Sequence, residues 1–252
     1  MWRSVCASVV GSSHAVSATP CQDSGWAQTD VLPDGLHLLS IFVADGAGSA
    51  LRGGDGAELA IEAAAACVAL KSQALPLELD DALAVEVVQA VRDKILAAAA
   101  SAQLRPRDFA CTFLGMLATD GAALVFQIGD GGVVLDAGRG LELAITPMSG
   151  EYANMTRFVT DDDAMAILQT RKYAERITQA AAFTDGIQRL ALNLADHTPH
   201  VPFFMPFFNG LAKASAEQVE QLPGLLVQFL GSPAVNERTD DDKTLALAVR
   251  LG

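Results

Sequence analysis

Residues 109–138 contain three strand-like runs in quick succession: "FACTFLGMLATDG" (109–121), "AALVFQIGDG" (122–131) and "GVVLDAG" (132–138). Only turn residues separate them. Parallel neighbours need a crossover of a dozen or more residues, so runs this close pair as antiparallel hairpins. Helical patterns come before them. "GAELAIEAAAACVALKSQ" (56–73) is Ala-rich, and "DDALAVEVVQAVRDKILAAAASAQ" (80–103) carries Asp80 and Asp81 at its positive end. Residues 2–10 suit an opening strand, "LHLLSIFVA" (36–44) a second, and "RITQAAAFTDG" (176–186) another buried run ending at an acid. A short helix over 187–195, an interrupted helix over 215–231 and a closing strand over 243–252 complete the pattern. No repeat, linker or low-complexity tract divides the chain. The expectation is a single domain over 1–252 of class α+β, with helices layered on antiparallel sheets rather than a regular βαβ alternation.

Charge narrows the partners. Acidic residues outnumber basic ones 30 to 17, and the net charge of −13 repels nucleic-acid backbones and anionic lipid. With 51% hydrophobic and 19% charged residues, the 252-residue chain has enough apolar surface for a sizeable core. Cys6, Cys21, Cys67 and Cys111 never form CxxC and read as reduced, mostly buried thiols. The start, "MWRSVCASVVGSSHAVSA", faintly resembles a signal peptide, but its apolar run is only Val5 to Val10. No uncharged apolar run approaches the ~20 residues of a membrane span. A cytoplasmic protein, with no nucleic-acid or membrane partner, is expected.

Acids recur beside strand ends and turns. Asp45 ends the apolar run in "IFVADGAGSALRGGDGAELA"; Asp23 stands in "PCQDSG", Asp130 in "QIGDGG" and Asp185 in "FTDG". Asp240, Asp241 and Asp242 precede the closing strand in "RTDDDKTLALAV". Converging carboxylates either take up protons or are neutralised by cations, and hard divalent cations favour such oxygen ligands. Asp-Gly is equally a common hairpin turn, so residue chemistry alone leaves a multi-Asp metal site and a set of turns both open. "TDDDA" (160–164) reads as a solvated charge run.

Rival sites are weaker. The glycines after Asp45 lack G-K-[ST] and miss GxGxxG at Leu51, and Asp45 and Asp55 would repel a nucleotide phosphate. Ser49 lacks the G-x-S-x-G frame of a nucleophile elbow. His197 and His200 form an H-x-x-H pair among prolines that argue against a ligating helical face. Phe203, Phe204, Phe207 and Phe208 suggest a core-docking loop, and Cys111 reads as core.

Taken in order, these segments resemble the metal-dependent serine/threonine protein phosphatases (the PPM, or type 2C, family), especially a compact bacterial branch. The resemblance runs from "VVGSSHAVSATPCQDSG" through "VADGAGSALRGGDGAELA", "CTFLGMLATDGAALVFQIGDGGVVL", "GEYANMTRFVT" and "AAFTDGIQRLAL" to "DDDKTLALAV". It implies a β-sandwich of two antiparallel sheets flanked by helices, a four-layer αββα fold. It also implies a centre of two Mn²⁺ or Mg²⁺ ions between the sheets. Asp45 would bridge both ions, the Gly46 carbonyl would bind one, and Asp185 and Asp241 would hold the other. Asp23 would contact a metal or its waters, and Asp130 with Asp185 would help bind a third, weaker ion. A hydroxide formed between the ions would attack phosphorus in line, without a protein nucleophile.

The resemblance has gaps. The larger relatives keep a phosphate-gripping arginine where this chain has Ala18, and a histidine, proposed as general acid, where it has Ala47. Gln22 stands where they often have Glu. His14, Arg52 and Arg157 are substitutes by residue type only. The implied activity is hydrolysis of phosphoserine and phosphothreonine in proteins, with a cognate serine/threonine kinase as counterpart. The alternative is a catalytically weak or silent phosphatase-like domain that binds a phosphoprotein partner in signalling.

Overall fold

The computed structural model describes residues 1–146, 156–193 and 195–252; in it the runs at 109–121 and 122–131 pair as an antiparallel hairpin, whereas the run at 132–138 crosses to the other sheet instead of pairing with its predecessor. Strands β1 (Trp2–Val9), β2 (Asp23–Val31), β3 (His37–Asp45), β4 (Phe113–Ala118), β5 (Ala123–Ile128), β6 (Gly132–Asp136) and β7 (Leu141–Leu143) come first. After them come β8 (Gln169–Tyr173), β9 (Gln179–Phe183), β10 (Leu192–Asn193), β11 (Thr198–Pro199) and β12 (Lys243–Arg250). They make two antiparallel five-stranded sheets, ordered β1-β12-β9-β6-β7 and β2-β3-β4-β5-β8, with β10-β11 as a small ribbon.

The period-2 rule explains the layering. Leu39, Ile41 and Val43 of β3 face the other sheet, meeting Val133, Leu135, Ala180, Ala182, Ala246 and Ala248. Their neighbours Leu38, Phe42 and Ala44 point the opposite way, onto the helices α2 (Gly53–Lys71) and α3 (Asp81–Ser101). Buried Ala57, Ala60 and Ala64 let α2 approach that sheet closely. Asp80 caps α3 by accepting the Leu83 N–H at 3.0 Å. On the outer face of the first sheet, Val5, Phe183, Leu245 and Leu247 pack under further helices. The order is helix, sheet, sheet, helix.

Several elements depart from the sequence reading. β2 escapes notice because "DSGWAQTDV" mixes polar, small and aromatic residues and is only half-buried. The short helix α1 (Ser12–Ser17) buries nothing and has no apolar period. The phenylalanine cluster is a helix, not a loop: after α4 (Ala164–Ile167) and α5 (Asp185–Ala191), α6 spans Val201–Lys213. Pro202 lies in its first turn, where a missing N–H costs little, and Pro206 forfeits one bond further in. Burial of Phe204, Phe208 and Leu211 along one face outweighs that loss. The interrupted helix resolves into α7 (Ala216–Val219) and α8 (Leu222–Leu230), followed by α9 (Pro233–Asn236). No helix among the described residues is long and apolar enough to cross a membrane.

Candidate metal centre

Register brings the acids together. Asp23 opens β2 and Asp45 closes β3, and the two are paired directly across the ladder. In the other sheet Phe183 pairs with Gly132 and with Leu245. The Asp130 turn, Thr184–Asp185 and Asp241–Asp242 therefore leave their strands at one end of that sheet. The ends of the two sheets face each other across the sandwich. Of the quoted family segments, residues 150–155 of "GEYANMTRFVT" lie outside the described residues.

Crowding raises the carboxyl pKa values. Burial, with repulsion from Asp23, Asp185 and Asp241, pushes Asp45 up to about 11. Asp23 rises to about 7 through burial, reinforced by Asp242 and Asp185. Asp185 rises to about 6 through burial, with Asp130 and Asp241 adding repulsion. Asp45 and Asp185, one from each sheet, thus act on each other across the site. A buried acid pair that must keep a proton is a place where a cation's charge would be favoured.

The donor chemistry fits a hard divalent cation. Asp23 Oδ1 and Asp185 Oδ1 are buried without a hydrogen-bond partner, and both are carboxylate oxygens. No three acidic, histidine or cysteine side chains among the described residues already stand as a complete ligand set around one point. The carboxyls would have to shed protons and turn to close around an ion.

Neighbouring groups fix this arrangement, and the sequence reading had passed over most of them. Thr184 Oγ1 donates to Asp23 Oδ2 at 2.7 Å and accepts the Thr244 N–H at 3.0 Å, linking both sheets. Thr112 Oγ1 accepts the Asp45 N–H at 2.9 Å. Thr156 donates to Asp130 Oδ2 at 2.8 Å, and the Gln188 amide donates to the Asp130 carbonyl. Fully buried Lys243 donates to the Asn236 side chain and to the Asp241 carbonyl, each at 3.1 Å. Thr184, a polar residue directly before Asp185 at the end of the apolar run "QAAAF", was the available signal. Thr184→Val should cost roughly 1–3 kcal/mol, because it strands Asp23 Oδ2 and the Thr244 N–H; thermal unfolding in chelator reads this.

The three acids of "TDDDKT" divide. Asp241 lines the cleft beside Asp185. Asp242 turns inward, accepting the Gly11 N–H at 2.6 Å and the Gln22 N–H at 2.5 Å, with His14 Nδ1 2.9 Å from its Oδ2. Arg52 is paired with Asp55, and Arg157 with Asp161 and Asp163. "TDDDA" is thus tied up locally rather than merely solvated. Ala18 is an exposed left-handed cap of α1, and Ala47 is buried with its N–H on the Ala110 carbonyl at 2.9 Å.

The glycines of the two Asp-Gly pairs also differ from expectation. Neither takes a positive φ, unlike Gly129 at +118° in the Asp130 turn. A Cβ on Gly186 would collide with the Asp242 carbonyl oxygen, and one on Gly46 with the Gly53 backbone. These positions need glycine because backbones cross there, not because the chain turns sharply.

Known proteins resemble this chain in sequence and in fold. The family model described as Protein phosphatase 2C matches residues 10–227. The chain is 57% identical over 248 residues to serine/threonine-protein phosphatase 3 of Escherichia coli (strain K12), covering 98% of both chains. Its fold is similar to a crystal structure of a bacterial serine phosphatase, with TM-score 0.62 and 12% identity over 100% of this chain and 99% of that one. It is also similar to RsbX in complex with magnesium, with TM-score 0.55 and 14% identity over 98% and 94% of the two chains.

Proposed function

The chain belongs to the protein phosphatase 2C family of serine/threonine phosphatases, and from that premise we propose how its residues perform the hydrolysis. As a single domain over 1–252, it would hold two Mn²⁺ or Mg²⁺ ions. Asp45, the Gly46 carbonyl, Asp185 and Asp241 would hold them, and Asp23 would contact a metal or its waters. Asp130 with Asp185 would take a third, weaker ion. When bound, the ions make a shared water acidic near neutral pH and offset charge on the phosphoryl oxygens.

The chain's own groups then orient and exchange protons. Thr184 holds Asp23 by one oxygen, which leaves Asp23 Oδ1 to accept a hydrogen bond from the attacking water. Lys243 and Asn236 fix the backbone that carries Asp241. No side-chain nucleophile is required: burial pushes the Cys21 thiol up to about 12 and Cys111 higher still. The substrate is a phosphoserine or phosphothreonine protein, supplied by a serine/threonine kinase.

The carrying observation is the meeting of Asp23 and Asp45 from one sheet with Asp185 from the other in one buried cluster of mutually repelling carboxyls. The test is hydrolysis of a phosphothreonine peptide with Mn²⁺. Turnover should vanish on chelation and return with added ion. Calorimetry should show Asp185→Asn binding Mn²⁺ at least roughly tenfold more weakly. Turnover that survives chelation refutes the reading. Ala18 and Ala47, where larger relatives keep Arg and His, favour a second reading, a catalytically weak domain that captures a phosphoprotein. Metal-dependent turnover on a natural phosphoprotein decides against it.

A further inference from the structure

The cleft beside Asp185 measures about 820 Å³, and its walls include Asp130, Asp185, Asp240 and Asp241. A phosphomonoester dianion entering it meets carboxylates on most sides. Arg189 and Arg238 are the cationic side chains among the described lining residues. They come from different elements, and each is tied to an acid of the centre. Arg189 lies one turn along α5 from Asp185, an i,i+4 spacing that puts both on one helix face. Arg238 follows α9, with its N–H on the Val235 carbonyl at 2.9 Å, three residues before Asp241. Both are exposed. Among the described residues neither lies within 4.0 Å of a carboxylate oxygen, whereas Arg52 and Arg157 are already paired.

We propose that Arg189 and Arg238 grip the phosphoryl oxygens of the phosphoserine or phosphothreonine substrate, doing what the arginine at the Ala18 position does in larger relatives. The planar guanidinium presents paired N–H donors that match two phosphate oxygens, which a lysine ammonium does not. Two such forks lining one cleft fix the ester's orientation while the acids remain committed to cations. This assignment rests on the phosphatase reading above.

The experiment compares wild type with Arg189→Met, Arg238→Met, the double variant, and both Arg→Lys variants, all loaded with Mn²⁺. KM for a phosphothreonine peptide should rise roughly tenfold for each Met variant, with kcat within about threefold, and the Lys variants should fall between. Calorimetric titration of inorganic phosphate into the loaded protein should weaken in parallel, while Mn²⁺ affinity stays at the wild-type value. Unchanged phosphate affinity and KM in the double variant, with Mn²⁺ bound, overturn this assignment alone. Failure of wild type to bind Mn²⁺ overturns the metal-centre reading and this assignment with it.

Discussion

Asp45→Asn is expected to lower Mn²⁺-dependent turnover by roughly a thousandfold or more, while making the chelated protein more stable at neutral pH. The loss follows if the carboxylate carries the charge that holds both ions, because an amide of the same shape supplies none. The gain follows from linkage. Asp45 has a folded pKa of about 11 against an ordinary carboxyl value of 3.8, so at pH 7 the unfolded chain ionises this group while the folded one keeps its proton. Stability from such a group is fully present below the unfolded pKa and is lost as pH rises toward the folded one. Asparagine removes that pH-dependent loss, worth on the order of a few kcal/mol at pH 7. Thermal unfolding in chelator from pH 4 to 8 should show the two proteins converging at the acid end, with the variant ahead at pH 7–8. Equal turnover, or a chelated variant less stable at pH 8, contradicts the assignment.

The second large effect concerns Gly186. A methyl group there would lie against the Asp242 carbonyl oxygen, with the Asp241 side chain 3.5 Å away. The obstacle is backbone, not the end of a flexible side chain, so α5 and the start of β12 must move apart. Gly186→Ala should cost roughly 2–4 kcal/mol and weaken Mn²⁺ binding by separating Asp185 from Asp241. Gly48→Ala, three residues past Asp45, meets open space and should shift stability by no more than about 0.5 kcal/mol. Chemical denaturation of the pair separates crowding from a general cost of losing glycine. Equal midpoints for the two variants would exclude the close-approach account.

Long periodic segments were legible in the sequence. The two alanine-rich and valine-rich helices, the three central strands and the closing strand all lie within a few residues of their expected bounds, although the third central strand pairs in the other sheet rather than with its predecessor. What hid from inspection was amphipathic only in context. β2 alternates poorly because it is half-buried, and α6 looks broken until its phenylalanines are seen to bury one face. The acids themselves were visible as residues beside strand ends. Their meeting was not, because register decides it: only the pairing of Asp23 with Asp45, and of Phe183 with Leu245 and Gly132, brings the five chain segments to one place. The two arginines of the cleft carry no local pattern and depend on the fold to face it.

The position of β12 has a temporal consequence. It is the last strand in chain order, yet it lies inside its sheet, between β1 and β9. During synthesis the first strand waits for a partner that emerges after all the others, and the sheet of 23–173 has its strands much earlier. Asp241 arrives with that same closing strand. Hydrolytic competence would therefore depend on the segment that carries Asp241 and β12 threading between β1 and β9.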